Sequence, residues 1–105
     1  CERGGRFGPH NQHQPQNQDI LYQGEDLSFV TYFNGGLRIY DISDERLPQE
    51  VGYFLPPDPI ERRGLLPASK LVAQTEDVIV DNRGNIFISD KNHGIYVLRF
   101  DGLNP

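Results

Sequence analysis

The side chains best able to do chemistry in this 105-residue chain crowd into its first thirteen positions, CERGGRFGPHNQH. Cys1 carries a thiol and, as first residue, a free α-amine. An unperturbed α-amine titrates at about 7.7–8.0, so it can serve as the base that activates the thiol, as in N-terminal-nucleophile hydrolases. Attack of that thiol on a preceding peptide bond would also explain a chain that lacks Met and starts at Cys. Ordinary proteolysis that happened to leave a Cys is the plainer account.

His10 or His13 can act as acid or base beside Cys1. Asn11 can donate to an oxyanion, and Arg3 and Arg6 can hold the carboxylate of a small-molecule substrate by paired hydrogen bonds. The expected catalytic set is therefore Cys1, His10, Asn11 and His13, with Arg3 and Arg6 binding substrate. His-Asn-Gln-His is also a metal-ligand candidate, with Glu2 or Cys1 as a further donor. In a regular strand, however, residues i and i+3 face opposite sides, and the spacing matches no recognised site; no metal or other cofactor is assigned. Each residue has a plain reading too: hydrogen-bonded histidines of a polar strand, solvated arginines, a turn-capping Asn, and for His93 an exposed turn.

These residues need a scaffold, and the chain's clearest element is Phe29 to Ser43, FVTYFNGGLRIYDIS. Two runs rich in β-branched and aromatic residues flank Asn34-Gly35-Gly36, a tight turn whose residues tolerate positive φ. The pattern returns 58 positions on, where Phe87 to Asp101 reads FISDKNHGIYVLRFD. Phe29 then meets Phe87, Val30 meets Ile88, Asn34 meets Asn92, Gly36 meets Gly94, Leu37 meets Ile95 and Ile39 meets Val97. A matched Asn-x-Gly turn between two matched strands is a repeat signal.

Composition sets the outer limits. The net charge of −5 argues against nucleic acid and anionic membrane surfaces, which call for basic patches. No apolar run approaches the roughly 20 residues that span a bilayer, and no signal-peptide pattern is present. A single Cys forms no internal disulfide. A mean hydropathy of −0.58 is low for a chain that must build its own core.

In order, residues 1–26 form a polar segment with a short inner strand near His10 to Gln14. Residues 27–55 form a first blade with strands at 27–33, 37–43 and 50–55. Residues 56–75 are a long inter-blade loop with a helical turn around Ser69 to Ala73, and residues 76–105 hold a second, incomplete blade with strands at 76–81, 86–90 and 95–100, then a tail. The class is all-β. A repeat of this size with three or four strands suggests a β-propeller. Two blades do not close a ring of about four to eight, so the expectation is about two blades completed by another chain, most simply the rest of the same precursor.

Gly36-Leu37-Arg38-Ile39-Tyr40-Asp41-Ile42-Ser43, then Pro48 and Glu50-Val51-Gly52-Tyr53-Phe54, resembles the LVIVD-repeat β-propeller family. Glu76 to Val80 and Ile86 to Asp90 resemble the inner strands of its next unit. Asp44-Glu45 stands where the family has Asp-Pro, a departure confined to a turn. The resemblance covers about 30–100 and implies a propeller fold, secreted or surface location, strand-edge aspartates (Asp77, Asp90) that hold turns, and blade-packing aromatics (Tyr32, Phe33, Tyr40, Tyr53, Phe54). It implies no activity, because propellers host many. The expected function is thus a processed propeller hydrolase acting through Cys1 on an amide or related acyl bond. The alternatives are a non-catalytic propeller that binds protein or glycan, and a metal-dependent propeller enzyme with His ligands.

Overall fold

A computed structural model describes residues 4–60 and 71–101. Cys1 and Arg3 fall outside them, as do the first two residues of the expected helical turn; its described part, residues 71–73, is not helical.

The described chain is all-β. Seven strands run β1 (Phe7–Gln12), β2 (Leu27–Phe33), β3 (Leu37–Asp41), β4 (Gln49–Phe54), β5 (Thr75–Val80), β6 (Asn85–Asp90) and β7 (Gly94–Arg99). Every pairing is antiparallel. The sheet order is β4-β3-β2-β5-β6-β7, with β1 added beside β2. One pair, Phe33 with Thr75, joins β2 to β5, so the sheet divides into a first unit, β1–β4, and a second, β5–β7. The expected inner strand near 10–14 is present but begins earlier, at Phe7, and bulges between Phe7 and Asn11. The third expected strand starts and ends one residue earlier, at Gln49 and Phe54, and β3 stops at Asp41, where the Asp41 carboxylate accepts from the Ser43 N–H and hydroxyl and bends the chain.

Turn chemistry explains the two matched hairpins. Gly36 has φ +71°, and a Cβ there would strike the Phe54 carbonyl, so only glycine fits. Gly94 has φ +98°. Asp90 is buried; its carboxylate accepts from the Asn92 N–H at 2.9 Å and the Gln74 N–H at 2.7 Å. It therefore holds both the β6–β7 turn and the entry to β5, as a strand-edge aspartate should.

The core lies between the units: Phe29, Leu37 and Ile39 of the first pack with Val78, Val80, Ile86 and Ile88 of the second. Phe54 and Tyr96 extend it, ring centroids 5.3 Å apart. Tyr53 points away, exposed beneath the Arg38 guanidinium at 5.0 Å, so of that adjacent aromatic pair only Phe54 packs between units.

The repeat and the core do not align face for face. Phe29, Leu37 and Ile39 are 1–3% exposed, whereas their repeat equivalents Ile95 and Val97 are 67% and 62% exposed and Phe87 is half-buried. Ile88 is fully buried, while its equivalent Val30 is half-buried on the outer side. Successive units bury opposite faces of one motif. That is the geometry of a head-to-tail stack, in which each unit meets its predecessor with one side and its successor with the other.

Candidate functional site

Strands β1 and β5 carry the candidate residues toward one another. The Thr31 side chain, fully buried on β2, sits between them: its hydroxyl donates to the Glu76 carbonyl at 2.7 Å and accepts from the Asn11 N–H at 3.3 Å. Beside it the Asn11 side-chain amide donates to the Asp77 carboxylate. The Asp77 N–H in turn donates to the Ser89 hydroxyl at 3.2 Å. Asn11 and Asp77 thus tie the two units together. Asp77, expected from the resemblance to hold a turn between blades, instead accepts from Asn11; within the second unit the β5–β6 turn is held by Asp81, which accepts from the N–H groups of Arg83 and Asn85 and from the Asn85 amide, each at 2.9 Å. Desolvation pushes the Asp81 carboxyl up, but those hydrogen bonds and the Arg83 charge outweigh it and hold the group below the usual aspartate range.

His13 is the second tie. Its Nδ1 accepts from the Val80 N–H at 2.9 Å, and its Nε2 lies 2.9 Å from the Tyr22 carbonyl. Those partners demand a neutral ring with hydrogen on Nε2. Both nitrogens are occupied by backbone groups, so His13 has no free atom with which to move a substrate proton. The neighbouring stretch joins the same seam: Leu21 bridges Asp81, the Tyr22 N–H donates to the Val80 carbonyl at 2.8 Å, and the Asn82 N–H donates to the Ile20 carbonyl at 2.7 Å.

His10 and Arg6 meet at Phe33. The His10 ring stacks on it with centroids 4.5 Å apart, and the Arg6 guanidinium sits 5.7 Å from its centre. Phe33 has φ +56°, which costs a side-chain-bearing residue about 1–2 kcal/mol; the two flanking groups help offset it. Arg6 also contributes its carbonyl to the Asn34 N–H at 3.0 Å. Arg6, expected to bind substrate through its side chain, thus also supports the β2–β3 turn through its backbone. The structure brings His10 and Asn11 together on β1, puts His13 at the inter-unit seam and Arg6 at Phe33. His93, expected to be an exposed turn, is exposed, but its Nε2 lies 2.7 Å from the Pro57 carbonyl.

Between β1 and β5 lies an open depression of about 450 Å³. Its walls carry four side-chain amides (Asn11, Gln12, Gln14, Gln16), the His10 imidazole and the Asp77 carboxylate, over Val30 and Val78. Among the described residues, no three His, Cys, Asp or Glu side chains gather as a metal site would require. Of these amides only Asn11 is singled out by the sequence; Gln12, Gln14 and Gln16 carry no chemical signal in a segment this rich in polar residues. The signal that could have found them is the repeat itself, which sets Asn11 and Gln12 opposite Thr31 and Val30 as Asp77 and Val78 stand opposite Ser89 and Ile88.

Family models, curated proteins and solved structures were each compared with the chain, and none matches it.

Proposed function

We propose that the chain is two neighbouring blades of a β-propeller of the LVIVD-repeat kind, completed by another chain, and that it binds a hydroxyl-rich ligand such as a glycan without transforming it. The observation that carries this reading is the amide-lined depression between the inner strands. The side-chain amides of Gln12, Gln14 and Gln16 and the His10 imidazole donate and accept, and the Asp77 carboxylate accepts, which suits hydroxyls. The architecture is supported by the opposed burial of the two repeats, which a stack of blades requires.

The alternative reading is a hydrolase acting through Cys1. His13 and Asn11, two of its candidate groups, are engaged in joining β1 to β5. His10 is the imidazole still open to it.

Nuclear magnetic resonance of the isotopically labelled chain, titrated with a panel of neutral oligosaccharides, tests the proposal. The expected result is saturable shifts at Gln12, Gln14 and Asp77 for at least one sugar, lost in Asp77→Ala. Absence of shifts across the panel overturns it. So does amide or ester hydrolysis by the purified protein that Cys1→Ser abolishes.

A further inference from the structure

The β2–β3 turn contains the chain's single asparagine followed by glycine, Asn34-Gly35. That dipeptide is open to a reaction of its own backbone. The Gly35 nitrogen attacks Asn34 Cγ, and the amide Nδ2 departs as ammonia, taking the proton of the attacking nitrogen with it. Water then opens the cyclic imide to aspartate or isoaspartate. Glycine in second position leaves the attacking nitrogen unscreened, because it has no Cβ. The repeat equivalent, Asn92, is followed by His93, whose side chain hinders the same attack.

Each participant in that reaction is held in place. Asn34 is buried, and its Nδ2, the leaving group, donates to the Gly4 carbonyl. The Asn34 N–H donates to the Arg6 carbonyl at 3.0 Å, and the attacking Gly35 N–H donates to the Tyr32 carbonyl at 3.0 Å. The Phe7 ring lies over Gly35 so closely that a Cβ there would stand 2.9 Å from it. A side chain at position 35 would therefore displace Phe7, and the reactive pair comes with the packing. Gly4, Arg6 and Phe7 all belong to the lead into β1; Tyr32 alone is local to the turn.

We propose that Asn34 is a site of spontaneous deamidation that residues 4–7 keep shut, and that its conversion is a one-way release of those residues. The product carries a carboxylate, which has no hydrogen to donate to the Gly4 carbonyl, so oxygen faces oxygen. Isoaspartate also adds a carbon to the backbone of a turn that already holds Phe33 at φ +56° and Gly36 at φ +71°. A chain that reacts while residues 4–7 are lifted does not close again. The inference stands apart from the propeller and ligand readings, since it uses only the β2–β3 turn and what covers it.

The full chain, folded in buffer or unfolded in urea, is incubated at mildly alkaline pH. Peptide mass and isoaspartate content follow conversion at residue 34. The folded chain reacts at least about tenfold more slowly than the unfolded one. Phe7→Ala uncovers Gly35 at a position already exposed. It speeds the folded chain about threefold or more, the factor that one aromatic contact supplies. Leu98→Ala loosens the core from the far edge of the sheet and leaves the rate at residue 34 within about twofold of the parent's. Trypsin reads the release: cleavage after Arg6 is about tenfold faster in Asn34→Asp than in the parent, because the Gly4 carbonyl has lost its donor. Equal rates in the folded and unfolded chain overturn the proposal. So does Phe7→Ala reacting no faster than the parent, or Leu98→Ala reacting as fast as Phe7→Ala. Unchanged cleavage after Arg6 in Asn34→Asp overturns the one-way release.

Discussion

The two units are built from one motif and solve opposite problems with it. The first connects its inner strand β1 to β2 through fourteen residues, 13–26, while the second turns from β5 to β6 in four, 81–84. The long connection is put to use: His13 and residues 20–22 cross to the second unit and hold the end of β5. The inner strand of the first unit is consequently exposed and polar, and that of the second is largely buried. A repeat constrains backbone pairing; which side of each copy meets water is decided by its neighbours.

Matched substitutions put this contrast under the greatest strain. Ile88→Ala should cost about 2–5 kcal/mol, as for a fully buried aliphatic. Val30→Ala, at the same motif position, should cost well under half as much, and for Ile39 and Val97 the first should be the costly one. Urea unfolding of the four variants measures it; equal losses within either pair would mean that both copies bury the same side.

His13→Ala should destabilise by about 1–3 kcal/mol, because the Val80 N–H loses its acceptor. His10→Ala, which loses only a ring contact with Phe33, should cost less than half of that. If the order is reversed, the seam does not run through residue 13. The Phe54–Tyr96 contact should show a coupling of about 0.5–1.5 kcal/mol in a cycle of alanine variants.

The smallest effect is on pH dependence. Asp81 has its folded pKa depressed, so its contribution is present above the unfolded value of about 3.9 and is lost as pH falls through the folded one. The stability gap between the native chain and Asp81→Asn should therefore be widest near neutrality and close progressively below about pH 4, read from melting temperatures across that range. A gap independent of pH would show that the turn, rather than the charge, sets the difference.

The strands of both hairpins, their turns and the repeat were legible because β-branched residues and Asn-x-Gly carry local backbone preference. Asp90 was expected to hold a turn only through the resemblance to the LVIVD repeat, which gave Asp77 the same role. The seam was not. That His13 would accept from Val80, or that Asn11 would reach Asp77, depends on side chains brought together from far along the chain, and neither leaves a mark in local composition. Gln12 and Gln14 fall within the expected inner strand, but no apolar period around them shows which way they face. The opposed burial of Phe29 and Phe87 was likewise hidden, since the two positions carry the same residue and differ only in what lies beyond them.

The bond from Val80 to His13 spans 67 positions, and this has a consequence for the order in which the molecule can be made. Translation delivers the N-terminal part first, and although β1 can pair with β2 at once, its end at His13 must wait for the residues around Val80 to leave the ribosome. Closing so large a loop is entropically costly and slow compared with forming either hairpin. Both hairpins should therefore acquire exchange protection early during refolding, and the Val80 amide, which His13 holds, only once the two units have met.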